Sequence, residues 1–131
     1  MIAVDTSVVV RYLVGTPAEQ AGRAMALMEA DQEIGLPLVA LVETAHVLRA
    51  VYGVERGAVV TTLIDLLTRE NIRLIGLSST DALAALASAR TLADGPIADA
   101  LIAGQAQSAG ALPVYSFDKD FHRMGVQVRQ P

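Results

Sequence analysis

Two carboxylates of this sequence directly follow short apolar runs that have the composition of buried strands. Asp5 comes after Met1–Val4, and Asp118 comes after Pro113–Phe117. In an open parallel sheet, ligands bind beyond the carboxyl ends of the strands. If both runs belong to one such sheet, the two carboxylates lie at its ligand-binding edge.

Two further carboxylates interrupt apolar helical stretches. Glu43 has Val39 and Val47 one turn to either side. Asp99 lies in the first turn of a predicted helix and has no Lys or Arg within one turn. Because a carboxylate is seldom fully buried without a partner, we expect a metal ion to be the partner of these acids.

The four acids together suit a hard divalent cation. Mg²⁺ and Mn²⁺ prefer oxygen ligands, keep several waters and combine one or two carboxylates with substrate phosphate oxygens. Such ions lower the pKa of bound water, and in pairs they hold the attacking and leaving oxygens of a phosphodiester displacement. We therefore predict a metal site and a catalytic centre at Asp5, Glu43, Asp99 and Asp118.

Each acid also has an ordinary structural explanation that the sequence alone leaves open. Asp5 could cap the helix that follows it, and Glu43 could pair with Arg49 or with an Arg of another helix. Asp99 could serve the dipole of its helix, where a first-turn acid is worth only ~0.3–1 kcal/mol.

The fourth acid and four titratable residues near these positions also have competing explanations. Asp118 could begin a turn, and Asp120, two residues later, could be the true fourth acid. Asp94 precedes a Gly-Pro pair and is expected to cap a helix. His46 and His122 are too isolated to suggest a His-based metal site, so we expect surface or core-edge roles for both.

The charge balance limits how the protein can hold a nucleic acid. Fourteen Asp and Glu stand against ten Lys and Arg, which gives a net charge of −4. A general nucleic-acid coat neutralises phosphates with many bases, so this class is disfavoured. Outside the four predicted site acids, ten acids balance ten bases. Metal ions would have to receive a phosphate, helped by rim bases, for which Arg11 and Lys119 are the candidates.

Length and composition predict a single domain over residues 1–131, because hydrophobic residues make up 53% and charged residues 18% of the chain. The longest uncharged stretch, Ala100–Phe117, contains Gly, Gln, Ser and Pro and does not suit a membrane span. The chain has no Cys, which together with the lack of a signal sequence favours the cytoplasm. Three Tyr, two Phe and no Trp are too few for an extended base-stacking platform.

Apolar patterns alternate between strand-like and helix-like along the chain. Strands are predicted at Met1–Val4, Ile34–Leu36, Ile72–Leu77, Pro113–Phe117 and Val126–Val128. Helices are predicted at Val8–Val14, Pro17–Ala30, Pro37–Tyr52, Glu55–Arg69, from Ser79 or Thr80 to Leu92, and from the Gly-Pro pair to Gly110. Strands separated by helices cannot form hairpins, so we predict an α/β sandwich with a central, mostly parallel sheet flanked by helices.

Four segments, in order, resemble the motifs of the PIN-domain ribonucleases and, among them, the VapC-like toxins of toxin–antitoxin pairs. They are Ile2–Val8 around Asp5, Leu41–Ala45 around Glu43, Asp99–Ala103, and Ser116–Phe121 around Asp118. The likeness covers nearly the whole chain. The fourth segment departs from the family pattern, which more often begins with Thr.

This resemblance implies a single PIN-like domain with a three-layer sandwich fold and the activity of a Mg²⁺- or Mn²⁺-dependent endoribonuclease. It implies that Asp5 and Asp99 are metal ligands, and that Glu43 and Asp118 complete the acidic site. The family also suggests a homodimer and a small cognate, VapB-like antitoxin whose C-terminal segment wraps the toxin and obstructs the site.

Other classes with acidic α/β pockets fit less well. A receiver-type phosphorylation domain needs adjacent acids after its first strand, and a haloacid-dehalogenase-like phosphatase needs Asp-x-Asp where this chain has Asp5-Thr6-Ser7. Nucleotide-binding glycine motifs are absent from the sequence. The remaining alternative is a non-catalytic PIN-like module that uses the acidic pocket to bind a metal or a partner.

Apolar residues on the first, third and fourth helices exceed what a small core needs. We expect some of them, around Val8–Val14, Leu41–Tyr52 and Val59–Leu67, to form an exposed groove that accepts an amphipathic helix of a partner. A homodimer interface is the alternative use of the same surplus.

Overall fold

Helices separate most successive strands of the chain, as the alternation of apolar patterns predicts. The computed structural model describes residues 1–91 and 95–131, apart from the side chain of His122. The strands are β1 Ile2–Ala3, β2 Ile34–Pro37, β3 Ile72–Ile75, β4 Val114–Tyr115 and β5 Val128–Arg129. The α-helices are α1 Thr6–Val14, α2 Ala18–Met28, α3 Leu38–Ala50, α4 Arg56–Leu67, α5 Ser79–Thr91 and α6 Ile97–Ser108, and a 3₁₀ helix covers Lys119–Met124.

All strand pairs in the described part of the chain are parallel, which confirms the α/β class and the parallel sheet. β2 lies between β1 and β3, with Ile34 opposite both Ile2 and Ile72. β4 and β5 pair separately, so one three-stranded and one two-stranded ladder replace a single continuous sheet. β1 and β4 have two residues each, and strands this short offer few groups for a ladder that would join the two sheets.

The central strand β2 is the most deeply buried. Ile34, Gly35 and Leu36 are all buried there. A Cβ on Gly35 would lie 2.8 Å from Cδ1 of Ile75, so the glycine lets this side chain lie across the strand. Helix α4 supplies much of the surrounding core, with Val59, Val60, Leu63, Leu66 and Leu67 buried.

Two residues that the helical periodicity assigns to apolar stripes are exposed instead. Met25 is 50% exposed on α2, and Tyr52 is 44% exposed. Helix α3 ends at Ala50 with Val51 as its C-cap, so Tyr52 lies beyond the helix and does not continue its buried stripe. The helical spacing of Leu41, Ala45 and Leu48 within the predicted helix Pro37–Tyr52 indicates one apolar stripe, and all three residues are buried on α3.

Helix ends also differ from the predicted ones. The hydroxyl of Ser78, rather than of Ser79 or Thr80, accepts a hydrogen bond from the backbone N–H of Asp81 at the start of α5. The predicted cap Asp94 lies outside the described residues. No helix in the described part of the chain is long and apolar enough to cross a membrane.

Candidate functional site

Asp5 lies just beyond β1 and is the N-cap of α1. Its Oδ1 accepts hydrogen bonds from the Ser7 hydroxyl at 2.6 Å and from the Val8 N–H at 3.2 Å. The capping role that the sequence left open for Asp5 is therefore confirmed. Thr6 and Ser7 are the other residues before Val8 that the sequence offers as caps, but neither is the N-cap, and Ser7 donates to Asp5 instead. These hydrogen bonds, the one from Ser7 foremost, lower the pKa of Asp5, and the nearby charge of Arg11 adds to the effect.

Asp99 lies in the first turn of α6 and is half-buried. The N-cap of this helix is Pro96, whose side chain makes no capping hydrogen bond. Partial burial raises the pKa of Asp99, and repulsion from the charge of Asp118 raises it further. The fold thus brings an acid of α6 near an acid that follows β4. Within the described residues, no Lys or Arg forms an ion pair with either carboxylate.

Asp118 is exposed and is the N-cap of the 3₁₀ helix. Its Oδ1 accepts a hydrogen bond from the backbone N–H of Asp120 at 2.9 Å. Its own backbone N–H donates to the hydroxyl of Ser116 at 3.0 Å. Asp118 therefore does begin a turn, and the hydrogen bond to Asp120 holds its carboxylate in place. Asp120 instead forms an ion pair with Arg123, at 3.6 Å.

Glu43 is exposed on α3, which corrects the assumption that its apolar neighbours in sequence bury it. The helix turns Leu41 and Ala45 into the core, and Val39, one turn before Glu43, is 77% exposed. Among the described residues no ion pair joins Glu43 to Arg49. Helix α3 packs against both α1 and α6, so Glu43 is carried by the helix that lies between those of Asp5 and Asp99.

The four acids do not form a closed metal-binding cluster in this structure. Among residues 1–91 and 95–131, no three His, Asp or Glu side chains lie close enough together to hold one ion. Asp99 and Asp118 are the pair whose charges interact. Two carboxylate donors that form no ion pair with a base among the described residues suit a cation such as Mg²⁺, which commonly takes one or two carboxylates and keeps several waters. The donor chemistry of this pair thus fits a hard divalent ion.

Two clefts are lined by residues that are close in sequence to Asp5, Glu43 and Asp99. A cavity of about 420 Å³ between α3 and the start of α6 is lined by Val42, Ala45, His46, Arg49, Ala50, Pro96, Ile97 and Ala98. A cleft of about 500 Å³ between α1 and α2 is lined by Ser7, Val8, Arg11, Gln20, Arg23, Ala24 and Leu27. His46 is exposed, in agreement with the surface role expected for it. His122 lies outside the described side chains.

Arg11 occupies the cleft beside Asp5. Its Nε donates to Oε1 of Gln20, and its Nη1 donates to the backbone carbonyl of Ser7 at 3.4 Å. Arg23 lines the same cleft from α2. The sequence did not indicate Gln20 or Arg23 as neighbours of this site, because only the packing of α1 against α2 brings them there.

Ser7 and Ser116 are the other side chains that the sequence prediction did not include in the site. Each lies two residues from a predicted acid and is hydrogen-bonded to it or to its backbone. Such local bonds are typical of Ser near Asp at turns and helix starts, so the two-residue spacing is the signal that would have found them.

Comparison with known proteins identifies one family whose model matches nearly the whole chain. A family model described as PIN domain matches residues 2–127 of the chain. The matched range contains all four acids and both clefts. No curated protein matches the chain.

Proposed function

We infer the function of this chain from the premise that it belongs to the PIN-domain family, whose members are generally metal-dependent nucleases. We propose that it is a Mg²⁺- or Mn²⁺-dependent endoribonuclease that hydrolyses RNA phosphodiester bonds at Asp5, Glu43, Asp99 and Asp118. The observation that supports this most directly is the pair Asp99–Asp118. One carboxylate lies in the first turn of α6 and the other follows β4, their charges interact, and neither forms an ion pair with a Lys or Arg of the described residues.

The environment of Asp5 suits a metal ligand that is already ionised. Ser7 and Val8 both donate to Oδ1, which fixes the orientation of the carboxylate and lowers its pKa. A carboxylate held in this way needs no reorganisation when a cation arrives. The same bonds tie it to the first turn of α1, so its position follows the packing of that helix.

Asp99 contributes the opposite electrostatic condition. Partial burial and the charge of Asp118 disfavour its ionised form, so the site gains from the arrival of a positive charge. When bound, a divalent ion would lower the pKa of a water molecule and neutralise charge on the phosphodiester. Glu43 on α3 would complete the ligand set from the neighbouring helix. Asp118 is favoured over Asp120 as the fourth acid, because Asp120 is paired with Arg123.

The cleft beside Asp5 supplies a basic rim for the RNA. Arg11 and Arg23 line it from two helices, and Lys119 directly follows Asp118. In a chain with a net charge of −4, bases placed beside the acids would position the RNA backbone while the rest of the surface repels it. Arg11 and Lys119 therefore remain the proposed steering residues.

We also propose that the protein is the toxin of a toxin–antitoxin pair and a homodimer. Helix α4 buries most of its apolar residues. The exposed apolar residues of the expected surplus therefore lie on α3 and just beyond its end. Val39, Val51 and Tyr52 are exposed there. This surface would bind a cognate VapB-like antitoxin or a second copy of the chain.

Cleavage of a structured RNA by the purified protein in Mg²⁺, with and without EDTA, tests the nuclease proposal. We expect cleavage only without the chelator and at least a tenfold loss in Asp99→Asn. Mn²⁺ should also raise the thermal midpoint of the wild type more than that of Asp99→Asn. Asp31→Asn is the matched control. Asp31 is exposed and precedes β2, so it lies at the end of the parallel sheet opposite to the end where Asp5 follows β1.

Three results would argue against the proposal: cleavage that survives EDTA, equal activity of Asp99→Asn, or an equal Mn²⁺-induced shift in both variants. Metal binding without any cleavage would support the alternative function, a non-catalytic binding module.

A further inference from the structure

An exposed strip of two aromatic side chains and one arginine leads along β4 to the acidic residues. Tyr115 is paired in register with Arg129 of β5, and the preceding pair, Val114 with Val128, packs against the core. Because strand side chains alternate between the two faces of a sheet, Tyr115 and Arg129 lie on the outer face. Phe117 follows two residues after Tyr115. We call Tyr115, Phe117 and Arg129 the aromatic strip.

Phe117 is not used to build the core. It is 80% exposed, the largest exposed fraction among the large hydrophobic residues that the structure describes. The 3₁₀ helix that follows it buries Phe121 and Met124 instead. Tyr115 is 59% exposed. Both side chains are therefore mostly in contact with solvent and add little to the buried core.

The backbone around Phe117 is held on both sides. The N–H of Ser116 donates to the carbonyl of Arg129 at 2.9 Å, which continues the β4–β5 ladder. The N–H of Asp118 donates to the Ser116 hydroxyl at 3.0 Å. The ring of Phe117 is thus attached to a fixed segment, directly before the carboxylate that interacts with Asp99.

We propose that the aromatic strip binds unpaired bases of single-stranded RNA next to the phosphodiester that is cleaved. The location of that phosphodiester rests on the proposed function. Aromatic faces stack on any base, and an arginine beside them matches the charge of the RNA backbone. The ring of Tyr115 on β4 and that of Phe117 just beyond the strand offer room for one or two bases, which agrees with the low aromatic content of the chain.

This proposal assigns particular residues to the binding of unpaired bases. Bases within a duplex are stacked on each other and cannot reach protein rings, whereas loops and single strands offer splayed bases. The strip would therefore contact only the unpaired bases of an RNA. A protein partner on the same strip is the competing occupant, and the charge of Arg129 next to Tyr115 favours RNA over an apolar helix.

Binding of a short fluorescein-labelled single-stranded RNA, followed by fluorescence anisotropy in EDTA at low salt, tests the strip without cleavage. Phe117→Ala should weaken binding about tenfold, the effect of losing one stacked base, and Phe117→Tyr should retain it. Met25→Ala, which shortens an exposed apolar side chain on α2, should bind like the wild type. The same RNA annealed into a duplex should bind more weakly and be insensitive to the Phe117 substitution.

A second readout tests the arginine. Arg129→Gln should reduce the slope of log K against log salt by about 0.7, the value for one phosphate contact to a single strand. Thermal midpoints should be unchanged in Phe117→Ala, because the side chain is exposed.

Unchanged RNA affinity in Phe117→Ala would overturn the proposal, and a change of oligomeric state in that variant with unchanged affinity would assign the strip to a protein contact. The two proposals fail separately. Metal-dependent cleavage with the same KM and kcat in Phe117→Ala would refute the strip and leave the nuclease. RNA binding that depends on Phe117, in a protein that cleaves no RNA, would support the strip and refute the nuclease.

Discussion

Asp5 and Asp99 each lie at the start of a helix, but their surroundings shift their pKa values in opposite directions. Hydrogen bonds from Ser7 and Val8 lower the pKa of Asp5, whereas burial and Asp118 raise the pKa of Asp99. Asp5 therefore stabilises the fold above its ordinary pKa of 3.8 and loses this contribution as the pH falls. Asp99 does not lower the free energy of unfolding at low pH, where it is protonated. It destabilises the metal-free fold as the pH rises above 3.8 and through its raised pKa.

Asp99→Asn should therefore stabilise the metal-free protein at neutral pH. The gain should not exceed about 1 kcal/mol, because the site is partly exposed to solvent. It should shrink as the pH falls and vanish below about pH 3.8, where Asp99 is protonated in both the folded and the unfolded state. Thermal unfolding in EDTA across a pH series measures this effect, with Asp31→Asn as the control. A gain of the same size at low and neutral pH would contradict the electrostatic origin.

The hydroxyl of Thr44, next to Glu43 on α3, lowers the stability of the fold for a different reason. Its side chain is 0% exposed, and its hydroxyl has no hydrogen-bond partner among the described residues. Thr44→Val should raise the free energy of unfolding by about 1 kcal/mol, because it removes an unsatisfied buried hydroxyl and keeps the shape. Thr44→Ser keeps the hydroxyl, loses a methyl group and should be destabilised. Urea unfolding compares the three proteins, and a less stable Val variant would show that the hydroxyl has a partner in solution.

The identity of the candidate acids could be predicted from residue types and positions, but their environments could not. Asp5 and Asp118 were placed beyond strands because each follows an apolar run. Nothing in the sequence near Glu43 distinguishes an inward from an outward position on a helix that is apolar on nearly all sides, and it proved exposed. The proximity of Asp99 to Asp118 depends on the packing of α6 against the 3₁₀ helix, which no local pattern encodes.

At the scale of elements, Arg56 links the helices that support the site. It lies at the start of α4, is buried, and donates from Nε to the carbonyl of Gly95 at 2.7 Å and from Nη1 to the carbonyl of Ala89. These carbonyls belong to the last turns of α5 and to the residues before α6. One side chain thus sets the position from which α6 presents Asp99.

Arg56→Leu should lower the free energy of unfolding by about 2–3 kcal/mol, because the carbonyls of Ala89 and Gly95 would lose charged donors. Arg56→Lys keeps the charge but cannot reach both carbonyls with a rigid fork, so an intermediate loss is expected. Chemical unfolding of the three proteins provides the measurement. A Leu variant as stable as the wild type would mean that apolar packing replaces this link.

The order and type of the elements followed from apolar periodicity, while their ends and pairing did not. Each predicted strand and helix has a counterpart in the structure. The last two strands are shorter than predicted, and they pair with each other and with no other strand in the described residues. Strand pairing is decided by contacts between distant segments, such as Tyr115 with Arg129, and two-residue strands give the sequence pattern almost nothing to repeat.

At the scale of the whole molecule, the net charge of −4 equals the charge of the four acids proposed for the site. With the four site acids set aside, the remaining acids and bases balance. Such a protein gains little RNA affinity from its general surface, so the proposed RNA binding would depend on the rim of the site and the aromatic strip. Activity should accordingly be sensitive to substitutions at a few positions and tolerant of charge changes elsewhere.

Expression of this chain alone in bacteria should slow growth if it is a toxin, and the structure indicates which variant tests this best. Asp5→Ala removes both the proposed metal ligand and the N-cap of α1, a loss of about 1 kcal/mol, so lower abundance could relieve growth for a trivial reason. Asp5→Asn keeps a side chain that caps as well as Asp and removes the charge. We expect Asp5→Asn to restore growth at wild-type abundance, and Asp31→Asn to remain toxic.

The antitoxin part of the hypothesis depends on the same acids. A basic side chain from a partner that reaches Asp5, Glu43 and Asp99 would compete with the metal, so inhibition should come from occupancy of the site, with the toxin still folded. Normal growth with abundant, folded wild-type protein would refute the toxin role. Because the metal-binding and RNA-binding measurements do not depend on growth, that result would leave a PIN-domain protein whose acidic site serves another partner.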